Sequence, residues 1–374
     1  MDINALILFL VTILGWLCGF FFLFRIPVCG LHSIKKRYPS VSLIIPARNE
    51  EHNIGYLLDS LQKQQFKAMQ IIVVNDGSTD RTDKISREMG ATVIESQPLP
   101  VGWLGKPWAC YQGARKAEGD VFIFLDADTT LEENGLRKIM DTYMKEISDS
   151  SAGGRVVLSI APYHKVKKLY EEFSAIFNIV MLGSMNAFTP IKRIKTTGLF
   201  GPCLVVHRDE YHRINGHDAV KNRILENVFM AVKFRENNIP LKCLGGRGTL
   251  SYRMYPKGFN ELINGWSKAF ASGFNQTSLS ALLLIIFWIS GGFIVSISLF
   301  NSIIENREIF FWMLLYFGFF LQIYWILRRI GSFKIITALL FPFHLLFYCI
   351  VFFRSLIFQL RGKNIQWKSR SVKT

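Results

Sequence analysis

The sequence predicts an α/β domain with a parallel sheet, carried between apolar helices that can enter a membrane. Short apolar runs alternate with helical stretches, the pattern of βαβ units. Three of those runs end in polar, loop-forming residues, and in a parallel sheet such loops leave the same edge. The remaining hydrophobicity of this 374-residue, 50% hydrophobic chain is concentrated near its two ends.

The first element is Ala5 to Phe24, "ALILFLVTILGWLCGFFFLF", a charge-free run long enough to span a bilayer. It lacks a basic leader and a small-residue cleavage site, so it reads as a retained anchor. Leu279 to Ile304, Ile309 to Leu327 and Ile335 to Phe353 are three further apolar blocks. The expected organisation is an anchor over 1–30, a catalytic domain over 38–275, membrane or interfacial helices over 276–360 and a basic tail over 361–374.

The formal net charge of +16 sits beside these apolar segments. Arg25, Lys35, Lys36 and Arg37 follow the first run, and residues 328–374 carry nine basic residues and no acid. Thirteen excess charges so placed fit the positive-inside rule and anionic headgroups better than a nucleic-acid stripe. No nucleic-acid partner is expected. The rule places the central domain in the cytosol of a multi-pass plasma-membrane protein. Three late crossings would then leave the basic tail outside, so the block holding Pro342, His344 and Arg354 is expected to be re-entrant or interfacial. The six cysteines show no metal-binding or redox spacing, as expected of reduced cytosolic thiols.

Within the central domain, "VSLIIPA" (41–47), "QIIVVND" (70–76) and "ATVIE" (91–95) read as strands, with helices through "EEHNIGYLLDSLQKQQ", after "NDGSTD" with Thr79 as cap, and through "KPWACYQGARKAEG". The fourth strand, Val121 to Leu125, runs directly into Asp126 and Asp128. Two carboxylates this close repel unless a cation neutralises them, and Mg²⁺ or Mn²⁺ is held by one or two carboxylates with phosphate and water completing the shell. Each loop alone also reads as a surface turn. Three on one edge, bringing Glu50, Asp76, Asp126 and Asp128 together, point to a metal and a diphosphate.

The ordered set "IIPARNEE", "VVNDGSTD", "GWLGKPWACYQGARKAEGD" and "FLDADTT" resembles the family 2 glycosyltransferases, inverting nucleotide-sugar enzymes of the Rossmann-like GT-A fold. The resemblance covers residues 41 to about 270. It implies that Pro46, Ala47, Arg48, Glu50, Asp76 and Gly77 hold the nucleotide sugar, with Lys106 and Asp126 near its diphosphate. It also implies that Asp126 and Asp128 bind the metal, Asp128 thereby acting in catalysis. The family's general base is commonly the Asp of a Glu-Asp pair; this chain reads Glu226-Asn227, and Asn227 cannot accept a proton as a base. Either Glu226 is the base, or the acceptor is a carboxylate already ionised at neutral pH.

"APYHKVKKLYEEFSAIFNIVMLGSMNAF" (161–188), "FGPC" (200–203) and "GGRGTLSYRMYPKGFNELINGWSKAFASG" (245–273) are similar to the bacterial carotenoid-acid glycosyltransferases. That implies transfer of glucose from UDP-glucose to the carboxylate of a C30 carotenoid acid drawn from the bilayer. Arg253 and Trp266 are acceptor-side candidates with Asn227, and residues 169–188 read either as an interfacial helix beside the basic "KRIK" (192–195) or as a core helix. His164 reads as a structural histidine. A lipid hydroxyl acceptor, such as a hopanoid or glycerolipid, with Glu226 as base is the second reading. A processive polysaccharide synthase is the third, disfavoured because "GWSKAFASG" lacks a QxxRW-type motif.

Overall fold

The computed structural model describes residues 3–34, 36–150, 153–191, 193–223, 225–273, 277–360, 365–367 and 370–372. Most of the expected basic tail over 361–374, and Lys192 of the basic stretch 192–195, lie outside the described residues. In chain order the elements are α1 (Ile3–Phe22), β1 (Val41–Ala47), α2 (Ile54–Gln62), β2 (Gln70–Asn75), α3 (Thr82–Glu88), β3 (Thr92–Glu95), α4 (Gly105–Lys116), β4 (Val121–Leu125), β5 (Thr129–Leu131), α5 (Gly135–Asp149), β6 (Val157–Ala161), β7 (Tyr163–His164), α6 (Ala175–Ser184), β8 (Cys203–His207), α7 (Arg208–Arg213), α8 (Glu226–Glu236), β9 (Leu241–Gly245), β10 (Leu250–Tyr252), α9 (Phe259–Gly273), α10 (Leu279–Glu305), α11 (Ile309–Ile330), α12 (Ile335–Leu339) and α13 (Phe341–Leu360).

The chain divides into two compact units: Pro27–His164 with Gly198–Arg253, and Met1–Ile26 with Lys165–Thr197 and Met254–Thr374. Residues 165–197 and the segment from Met254 onward therefore group with the apolar helices.

The first unit is built on a seven-stranded sheet of order β3-β2-β1-β4-β8-β6-β9. β1 to β4 are mutually parallel, as the alternating pattern predicts. β8 enters antiparallel between β4 and β6, making the sheet mixed. One face is covered by α2 and α5, where Leu57, Leu58, Ile139 and Met140 pack on Leu43, Ile45 and Ile123, all at most 1% exposed. Each such aliphatic side chain contributes roughly 1.5–3 kcal/mol of burial energy.

On the other face Ala109 of α4 packs on Ile72 and Val74. Gly113 makes this approach possible, since a Cβ there would sit 2.5 Å from Ile44 Cγ2 and 3.0 Å from Val74 Cγ2. At the amino ends of β1 and β4, Asp120 Oδ2 accepts from the amide (3.1 Å) and hydroxyl (2.7 Å) of Ser40. These bonds hold the Asp120 carboxyl below its ordinary value. A second sheet, β5-β10-β7, lies beside the end of β4 and contains His164, which is fully buried.

The expected helix cap at Thr79 is not formed. Thr79 donates its amide to Asn49 Oδ1 at 2.9 Å, and Asp80 Oδ1 accepts from the amide of Thr82, where α3 begins. A contact between two loops has displaced the local cap.

The second unit is helical. Ala5–Phe22, Leu279–Glu305 and Ile309–Ile330 are long and apolar enough to cross a membrane, one near the N-terminus and two near the C-terminus. α1 meets α10 through glycine: a Cβ on Gly15 would lie 2.6 Å from Phe287 O and 2.9 Å from Gly291 Cα. Small residues at such a crossing bring backbones close enough for dispersion to hold helices together in lipid. Gln322 of α11, 2% exposed, donates to Trp16 O at 2.8 Å and accepts from Trp288 Nε1 at 2.9 Å, tying α1, α10 and α11 together. The last apolar block breaks at Leu340 into α12 and α13, with Pro342 in the first turn of α13, where its missing N–H leaves no bond unmade. Of residues 169–188, Leu169–Ser174 form a 3₁₀ turn, and α6 packs against α10, α11 and α13, buried around most of its circumference. A helix enclosed in this way is a core helix, not one lying in the lipid interface.

Candidate active site

Because β1, β2 and β4 are parallel, the loops after Ala47, Asn75 and Leu125 leave one edge of the sheet. The first two loops are joined by direct bonds. Arg48 Nη1 donates to Asp76 O at 2.7 Å and lies 3.7 Å from Asp76 Oδ2. Asp76 N donates to Ala47 O at 2.8 Å, Asn49 N to Ser78 Oγ at 3.0 Å, and Glu50 N to Thr82 Oγ1 at 2.8 Å. Asn49 holds a left-handed backbone (φ 53°), as does Gly77 (φ 64°), so both loops turn sharply after their strands. Pro46 and Ala47 end β1, and Pro46 pairs with Val74. These bonds fix the backbone of Pro46 to Glu50 and of Asp76 to Gly77 in one arrangement.

The third loop carries a charged cluster. Lys106, in the first turn of α4, places Nζ 2.6 Å from Asp126 Oδ1 and 3.5 Å from Glu226 Oε1. Asn227 Nδ2 donates to the same Glu226 oxygen at 3.0 Å. Three distant pieces of sequence thus meet: the start of α4, the end of β4 and the start of α8. Gly201 leaves room for them, since a Cβ there would lie 2.5 Å from Asn227 Nδ2 and 3.5 Å from Lys106 Nζ. Asp126 N donates to Pro202 O at 2.9 Å, and Thr129 Oγ1 donates to Asp126 O at 2.7 Å, which fixes the turn carrying both carboxylates.

The electrostatics follow from burial. Glu226 is 6% exposed, and burial raises its carboxyl above the ordinary value against the pull of Lys106. Burial acts to lower Lys106, but the carboxylates of Asp126 and Glu226 outweigh it and hold the ammonium firmly protonated. Cys110, one turn along α4, has its thiol pushed up by burial and is a packing residue, not a nucleophile.

Asp128 is exposed, two residues from Asp126. Among the described residues no three His, Cys, Asp or Glu side chains cluster with metal-binding geometry. Two hard carboxylates at a strand end nevertheless fit Mg²⁺ or Mn²⁺, which take one or two protein carboxylates and complete their shell with phosphate oxygens and water. The site suits an ion that arrives with a diphosphate.

The other candidates are placed differently. Arg253 directly follows β10 in the sheet-bearing unit. Trp266 lies in the helical unit, 1% exposed; its Nε1 donates to Ser174 Oγ at 3.0 Å and its ring stacks on Phe177 at 4.9 Å. Sequence reading missed Asn49, whose signal was an Asn in a strand-to-helix turn, and Gly201, whose need shows only in three dimensions.

The Glycosyl transferase family 2 model matches residues 42–209. Across 97% of this chain and 96% of the relative, the sequence is 30% identical over 368 residues to the 4,4'-diaponeurosporenoate glycosyltransferase of Staphylococcus aureus (strain USA300). The fold is similar to that of a mannosyltransferase from Pyrobaculum calidifontis in complex with GDP-Man and Mn²⁺, with a TM-score of 0.51 and 14% identity over 93% of this chain and 96% of that one. A GT-A sheet, the motif-bearing loops on one edge and a full-length relative place this chain in glycosyl transferase family 2.

Proposed function

We propose that this protein is a membrane-bound, metal-dependent enzyme that transfers glucose from UDP-glucose, with inversion, to the carboxylate of a C30 carotenoid acid. The observation that carries the acceptor class is the side-chain set at the start of α8. Asn227 stands beside Glu226 and donates to it, while Glu226 faces the Lys106 ammonium. In this reading Glu226 serves as the counter-ion of the Lys106 ammonium, and a carboxylate acceptor has no proton for it to take. The relative named for diaponeurosporenoate supports the same class.

In this reading the interlocked loops of Pro46, Ala47, Arg48, Glu50, Asp76 and Gly77 hold the nucleotide. Asp126 and Asp128 hold the metal, which when bound neutralises charge on the leaving diphosphate. Lys106 adds a fixed positive charge where that leaving group develops its negative charge. Arg253 faces the acceptor or the diphosphate. The apolar helices keep the enzyme in the plasma membrane as a multi-pass protein with its catalytic unit in the cytosol, the side selected by the basic residues around them.

The test is a transfer assay on membranes with labelled UDP-glucose and matched apolar acid and alcohol acceptors, followed by mild alkali. An alkali-labile product from the acid alone supports the ester reading. A stable product from the alcohol overturns it and makes Glu226 the base for a lipid hydroxyl.

A further inference from the structure

The segment between β3 and α4, Ser96 to Leu104, is strapped down at both ends. Gln97 N donates to Gln112 Oε1 at 2.9 Å, Gln112 Nε2 to Ser96 Oγ at 2.7 Å, and Trp108 Nε1 to Gln97 O at 3.0 Å. At the far end Leu104 N donates to Lys221 O at 2.8 Å. Between the straps Trp103 N closes a turn on Pro100 O at 3.2 Å, with Gly102 at φ +83°.

The tip of this turn is apolar and turned to solvent. Val101 is 103% exposed and Leu99, between Pro98 and Pro100, is 37% exposed. Below it Trp103, Trp108 and Tyr111 cluster with ring centroids 4.9–5.7 Å apart. They are half-buried, whereas Ala109, Cys110, Gly113 and Ala114 fill the buried face of α4. Arg115 and Lys116 are exposed at the end of the same helix, with Arg115 6.0 Å from the Tyr111 ring. Lys221 lies 5.9 Å from the Trp103 ring while pairing with Asp218 at 3.3 Å. Residues 96–117 hold Lys106, Arg115 and Lys116 and no acidic residue.

A single exposed valine needs no explanation. An apolar tip held rigid by two prolines, above an aromatic layer and beside exposed cations, has the order of a bilayer surface: acyl boundary, headgroup level, anionic charge. A nucleic acid would use the aromatic and basic parts but not the apolar tip.

We propose that Pro98–Trp103, with Trp108, Tyr111, Arg115 and Lys116 of α4, is a docking element for an anionic lipid surface. Leu99 and Val101 enter the acyl boundary, the three rings sit among headgroups, and Arg115 and Lys116 face lipid phosphates. The surface is independent of which acceptor the enzyme uses.

The test uses the full chain in nanodiscs, carrying Val101→Cys labelled with an environment-sensitive fluorophore. The parent protein serves as control, because five native cysteines are buried and Cys349 is half-buried. The expected result is quenching by shallow nitroxide lipids when phosphatidylglycerol is present, reduced at least about threefold by Arg115→Glu with Lys116→Glu, in keeping with the attraction of each surface cation for anionic lipid. Leu99→Asp with Val101→Asp should raise KM for a bilayer-dissolved acceptor and leave KM for the sugar donor unchanged. A label that stays water-exposed in every lipid composition overturns the proposal. So does a label shielded only when protein density rises, which would mark a protein contact.

Discussion

Lys106 Nζ lies 2.6 Å from Asp126 Oδ1, so an ammonium already holds the first of the two paired carboxylates. Lys106→Met removes that charge and leaves Asp126 and Glu226 facing each other. Loss of one preorganised stabiliser of the leaving group should lower transfer by about 10²–10³. Stability should fall by roughly 1–3 kcal/mol, discounted from a fully buried pair because Lys106 is a quarter exposed. Initial rates and thermal melts check this, and unchanged turnover would remove Lys106 from the site.

Asp128 is exposed, so its role is open to a clean substitution. Asp128→Asn should abolish transfer, by at least about 10²-fold, with melting temperature unchanged. Near-normal turnover with added Mn²⁺ would sink the metal role.

Asn227 donates to Glu226 at 3.0 Å and has no proton-accepting role in ester formation. Asn227→Ala should therefore retain activity within about tenfold on an acid acceptor, since it removes one hydrogen bond of roughly 1 kcal/mol. Complete loss of transfer with the fold intact would contradict the carboxylate reading.

His217 sits in the turn after Gly216, fully enclosed, and its ring and amide both bond the Tyr211 hydroxyl, at 2.9 and 3.1 Å. Burial lowers its pKa from 6.5 to about 3. The folded state therefore binds fewer protons than the unfolded chain, so its contribution is fully present above pH 6.5 and is lost as pH falls toward 3. The loss approaches roughly 3–5 kcal/mol at the acid end. Asp120, also held low, adds its loss only below its ordinary value of 3.8, and the raised Glu226 acts in the opposite sense above 4.5, so the His217 share is read as the difference between variant and parent. Denaturation from pH 7 to 4 should show a shallower decline for His217→Gln than for the parent, and identical slopes would refute the assignment.

The fold was legible where local pattern decides it. Val121 to Leu125 reads as a strand buried on both faces because all five residues are apolar, and all five are buried. The antiparallel entry of β8 was not legible, because strand sense leaves no mark in a five-residue apolar run. The shift of the α3 start from Thr79 to Thr82 was hidden for a related reason: Asn49, thirty residues away, takes the Thr79 amide. At the site, the sequence marked Lys106, Asp126 and Glu226 separately. Their meeting around one ammonium depends on Gly201 and on α8 folding back to the β4 edge, which no spacing encodes.

The Gly15 crossing has a consequence for how the chain is made. Its partner surface on α10 begins more than 250 residues later in synthesis, which at about 5–20 residues per second is tens of seconds of translation. In the proposed membrane-bound protein, α1 then waits in the bilayer through that interval with its glycine face turned to lipid. The first helix made thus waits for a partner that lies in the last third of the chain. A nascent chain halted before Leu279 should cross-link from Gly15→Cys to lipid, and one halted after Ile330 should cross-link to α10.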